Sequence, residues 1–136
     1  MYEKEDRDQM TLSAFTLPFD GKLNASNRWI RLSRRIDWDK LEDDYAQLFS
    51  AHGKRAVKCR AAYAALLIKE ILEISDRETV EQISENPYMQ YFCGFPEFRQ
   101  KRPFSPRTMS AFRHRFKPEL LSRKQIRTLL GKGKKK

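Results

Sequence analysis

Cysteine is scarce in this chain. Cys59 and Cys93 are the two in 136 residues, and with His52 and His114 beside them they make no finger, ribbon or knuckle spacing. No metal site is expected. Two isolated cysteines point to a reducing compartment, where both serve as small buried apolar groups. Glycine is also sparse, at five residues, and no Gly-rich phosphate loop, HExxH pair or GxSxG elbow occurs. The sequence therefore predicts no cofactor and no enzyme. Long apolar runs are missing too: the longest, residues 61–68, falls far short of the roughly 20 residues that span a bilayer. A soluble, cytoplasmic protein without a membrane partner is the expectation. The last absence is regional. Residues 97–136 hold 14 Lys/Arg and only 2 Asp/Glu, whereas residues 1–96 hold 14 and 16. A basic region of that density attracts phosphate polymers and loses affinity steeply as salt rises.

What is present is enough for one modest core, with 40% hydrophobic residues in a single-domain length. Period-3.6 patterning dominates and period-2 alternation is weak, so the class is all-α, a bundle of about six helices. Residues 1–11 read as a disordered terminus, residues 12–120 as the folded domain and residues 121–136 as a flexible basic tail. Phe15 to Leu23 is broken by Pro18 and Gly21 and suits an extended arm. A first helix over 26–34 turns Trp29, Leu32 and Ile36 inward and Arg28, Arg31, Arg34 and Arg35 to solvent.

Asp37 is the expected cap of a second helix, stapled by Ile36 and Leu41, with Trp38, Leu41, Tyr45, Leu48 and Phe49 inward. Glu42, Asp43 and Asp44 form its solvated face. A turn at Gly53 leads to a central buried helix over 57–74. Ser75 to Glu78 has the form of a capping box, and Asn86 caps a short helix beginning at Pro87. Gly94 ends that helix, and a basic loop with Arg99, Lys101 and Arg102 follows. Three helices in 76–117 with tight joints are compatible with a helix-turn-helix-like unit.

The segment 104–116 carries the strongest signal. Ser105 is a good N-cap and Pro106 suits the first helical position. At 100° per residue Met109, Phe112 and Phe116 share the inner side, Arg107, Ser110, Ala111 and His114 point away, and Arg113, Arg115 and Lys117 flank them. Such a helix can dock on a core and still offer donors to bases and phosphates.

Taken in order, Phe19-Asp-Gly-Lys-Leu23, Asn27 to Trp29, Ile36 to Trp38, Tyr45 with Leu48 and Phe49, Ala65 to Glu70, Ser75 to Ile83, Glu85 to Phe92 and Phe104 to Phe116 resemble the InsH-type N-terminal domain of bacterial insertion-sequence transposases. The resemblance covers roughly residues 12–120. It implies a domain that recognises terminal inverted repeats of a mobile element, while a separate RNase H-like DDE domain supplies the catalytic carboxylates. The matched part contains none of those carboxylates, and the departure after about Leu121 reads as a truncation before the catalytic domain, a shifted reading frame or a remnant copy.

The expected partners are double-stranded DNA carrying the terminal repeats, a second copy of this chain, or a full-length transposase that it would regulate. Arg107, Ser110 and His114 are placed nearest the bases, Arg113, Arg115 and Lys117 on phosphates, and Arg99, Lys101 and Arg102 on the flanking backbone. The rival reading is a helical protein-interaction module or a non-specific nucleic-acid binder.

Overall fold

In the computed structural model, residues 15–17, 21–46 and 58–131 are described. The expectations for residues 1–11, Leu48, Phe49, Gly53 and Val57 fall outside them. The described residues form seven α-helices: α1 Arg28–Ser33, α2 Trp38–Ala46, α3 Cys59–Leu72, α4 Asp76–Glu85, α5 Pro87–Phe92, α6 Pro106–Arg113 and α7 Arg123–Leu130, with a 3-10 turn at Pro118–Leu121. The expected all-α bundle is what is observed, and none of these helices is long and apolar enough to cross a membrane.

The centre is α3, in which every residue from Cys59 to Ile68 is buried. Its alanines at 61, 62, 64 and 65 favour the helix and take little room, so α2, α4, α5, α6 and the 3-10 turn all pack against it. Burial pushes the Cys93 thiol, at the end of α5, up to about 12. It therefore stays protonated and acts as an apolar group.

Local chemistry fixes most helix starts. The side chains of Asn27, Ser75 and Asn86 accept backbone N–H bonds at the heads of α1, α4 and α5, and Asp37 Oδ1 accepts from the Lys40 N–H at 3.1 Å. The arm also lies where its composition suggests: Thr16 N–H donates to the Pro96 carbonyl and Phe98 N–H donates to the Thr16 carbonyl. Phe15 is buried there with Ile30 and Tyr91.

Three expectations change. Glu42, assigned to a solvated face, is buried at 6% exposure. The α4–α5 joint is tight, but residues 93–105 separate α5 from α6, a connection longer than the roughly three- to four-residue turn of a helix-turn-helix.

The supposed basic tail contains α7. Ser122 Oγ accepts from the Gln125 N–H at 3.2 Å, and Gly131 ends the helix with φ of 83°. Ile126 and Leu129 are buried, and Arg35 Nη1 donates to the Leu129 carbonyl at 2.9 Å. A Cβ at Gly131 would come within 2.9 Å of that guanidinium, so glycine suits both the left-handed cap and the close approach. The apolar spacing Ile126, Leu129, Leu130 outweighs the Lys and Arg content. Residues 132–136 lie outside the described part.

Candidate nucleic-acid interface

α6 begins as its sequence dictates. Ser105 Oγ accepts from the Thr108 N–H at 3.2 Å, and Pro106 occupies the first turn. Ser105→Ala should lower stability by about 1 kcal/mol, read as a lower urea midpoint with an unchanged slope; an unchanged midpoint would show that the cap does no work.

Met109 and Phe112 are buried against the body, where α6 packs on α3 and α4, and Phe104 meets Phe112 edge to face at 5.0 Å. The helix stops earlier than the pattern suggests. It ends at Arg113 with His114 as its cap, because the chain turns there to bring Phe116 onto Tyr45 and Tyr63, at centroid separations of 5.2 and 5.4 Å. Phe116 is thus buried as expected, but by a turn instead of a continued helix.

The outward residues of α6 are Arg107, Ser110, Ala111 and His114, all exposed. They share one face. Beside them Arg113 is half-buried and bridges to Asp76 in the first turn of α4, tying the end of α6 to the head of its neighbour. Arg113 Nη1 also reaches Ser110 Oγ, at 3.5 Å. Arg115 is half-buried at Tyr45, whose phenol is raised by burial and drawn back by the Arg115 charge and hydrogen bond. Lys117 is exposed but stands apart from the α6 face, lining a groove of about 360 Å³ with Lys40 and Asp44 of α2.

The basic loop is tied to the body at Arg102 and braced within itself at Arg99. Arg102 bridges to Glu81 of α4, and Arg99 Nε lies 2.7 Å from Glu97 Oε2. Both pairs are exposed enough to exchange a carboxylate for a phosphate at little cost. Lys101 is exposed and forms no ion pair with the described residues.

What holds the loop is Gln90, which sequence reasoning missed. Its amide is 3% exposed; Nε2 donates to the Ile83 and Arg99 carbonyls at 2.9 and 2.8 Å, and Oε1 accepts from the Arg99 N–H at 2.9 Å. The available signal was a glutamine inside the apolar run Tyr88 to Phe92.

Of the nine expected contact residues, the fold therefore gathers Arg107, Ser110 and His114 on one face. It sets Arg99, Lys101 and Arg102 on one pinned loop, engages Arg113 and Arg115 internally, and places Lys117 elsewhere. Among the described residues no group of three or more His, Cys, Asp or Glu is arranged to hold a metal ion.

Residues 17–115 match the family model described as Transposase domain (DUF772). A protein of Rhizobium meliloti, described as "Uncharacterized protein ORF8 in nfe locus", is 31% identical over 100 residues, which cover 74% of this chain and 48% of that protein. The chain thus spans about half the length of this curated relative. No solved structure matches it.

Proposed function

The chain belongs to the transposase domain family DUF772, and from that premise we propose that it is a helical DNA-binding domain that recognises the terminal inverted repeats of an insertion sequence. The observation that carries this reading is α6. Its inner face is anchored by Met109 and Phe112 while Arg107, Ser110 and His114 stay exposed, at the head of the region with 14 basic and 2 acidic residues. A rigid, outward polar face inside a positive field can combine base contacts with phosphate attraction.

In this reading the domain is of the InsH type and binds without cutting. Two-metal strand chemistry needs carboxylates from separate elements converging on ions about 3.5–4 Å apart, whereas Asp76 is held by Arg113. Strand cleavage is assigned to a DDE domain of the transposase. Arg107, Ser110 and His114 act as the base-facing set, and Arg99, Lys101 and Arg102 clamp the adjacent backbone.

The test is binding to duplexes enriched by selection from a random pool, each compared with its scrambled counterpart. Arg107→Ala should lose about 1–3 kcal/mol of discrimination, as expected for a lost bidentate base contact, while Lys101→Ala, in the backbone clamp, should weaken all duplexes alike. Equal losses on selected and scrambled DNA for both variants, or no enrichment at all, would favour a non-specific binder or a protein-interaction module.

A further inference from the structure

The arginines of α1 read from sequence as a solvated face, yet two of them line a groove. Arg28 and Arg31 of α1 stand on its rim with Arg123 and Arg127 of α7, around a volume of about 740 Å³. Trp29, Leu32, Ile71, Ile126 and Leu130 contribute apolar lining. One acid stands against the four arginines: Glu73 Oε2 lies 3.7 Å from Arg123. The Arg28 guanidinium is steadied 4.9 Å from the Trp29 ring centroid. Arg31 and Arg127 are exposed and form no ion pair with the described residues.

We infer that this groove is a second DNA contact of the domain, in which Arg28, Arg31, Arg123 and Arg127 hold the phosphate backbone of a duplex. The inference rests on the DNA-binding reading above but uses residues outside the α6 face and the basic loop. Its argument is charge complementarity. Each wall repeats its positive charge after about one helical turn, 5.4 Å, so the groove offers two short ladders of charge, which suit a regularly charged polyanion better than a single small anion. Guanidinium forks pair with phosphate oxygens through parallel N–H bonds. A contact made to phosphates carries no base information of its own.

The experiment measures binding of the full chain to a random-sequence 20-base-pair duplex across a salt series. Arg31→Ala with Arg127→Ala removes two proposed phosphate contacts and should reduce the steepness of log K against log salt by about 1.8. Arg34→Ala with Lys124→Ala removes the same net charge from exposed positions outside the groove lining and should leave the steepness nearly unchanged. Thermal melting checks folding, and Arg31→Gln with Arg127→Gln replaces the alanine pair if that pair unfolds.

Equal slope changes in the two pairs, or none in the groove pair, would overturn the inference while leaving the α6 reading intact. Loss of selected-over-scrambled preference in the groove pair would also count against it, since a backbone contact carries no such preference. Failure of the unmodified chain to bind any duplex would remove both readings.

Discussion

Arg60→Met should lower the thermal midpoint by about 10 °C, from a loss on the order of 3 kcal/mol. Arg60 is 8% exposed on the first turn of α3. Its Nε donates to the Phe92 carbonyl at 2.9 Å and its Nη2 to the Tyr91 carbonyl at 3.1 Å, so a cation satisfies carbonyls at the C-terminal end of α5, where the helix dipole is negative. The guanidinium carbon also sits 4.7 Å from the Trp38 ring centroid and 5.6 Å from that of Tyr91, within the range of cation–π attraction. Gly94, at φ of 88°, has no Cβ because one would come within 2.8 Å of Arg60 Cδ.

Methionine keeps the length of the stem but leaves those carbonyls unpaired in the interior, which is the expensive part of the change. Arg60→Lys should fall between the two, since an ammonium keeps the charge but lacks the planar fork that reaches both carbonyls. Circular-dichroism melting decides it: a methionine variant melting within about 2 °C of the parent would show that the site relaxes and that the two bonds contribute little.

Arg60 also marks where sequence reasoning stops. The caps at Asp37, Ser75, Asn86 and Ser105 were legible because each binds a backbone N–H two or three residues away. The inward set of α6 was legible for the same local reason, as helical spacing alone separates Met109 and Phe112 from Arg107 and Ser110. Arg60 depends instead on carbonyls more than thirty residues downstream. Its burial could not be read from its neighbours.

The candidate site divides in the same way. Which side chains point outward from α6 follows from periodicity, but which arginines are already engaged depends on Asp76 and Glu81 of α4, brought in by packing. α7 is hidden for a different reason: its Lys- and Arg-rich composition masks the spacing of Ile126, Leu129 and Leu130, and the spacing decides the fold.

Gln90→Leu should separate the loop from the fold more cleanly than any change in the loop itself. The substitution nearly conserves volume while removing the donors to the Ile83 and Arg99 carbonyls and the acceptor of the Arg99 N–H. Leaving buried polar groups unpaired costs about 1–3 kcal/mol each, but the loop can recover part of that by moving these groups toward water. The expected result is therefore a moderate loss of stability concentrated in one place: the Arg99 amide loses its hydrogen-exchange protection, while the amides of α3 retain theirs relative to the new global stability.

If the loop clamps the DNA backbone, freeing it makes Arg99, Lys101 and Arg102 pay ordering entropy on binding. Affinity should then fall about tenfold, near 1.4 kcal/mol, and equally for selected and scrambled duplexes, because the base-facing set on α6 is untouched. An Arg99 amide that remained protected would remove Gln90 from its role as the pin. A lost amide protection with unchanged affinity would retain the pin and take the loop out of the DNA contact, leaving α6 to supply recognition without it.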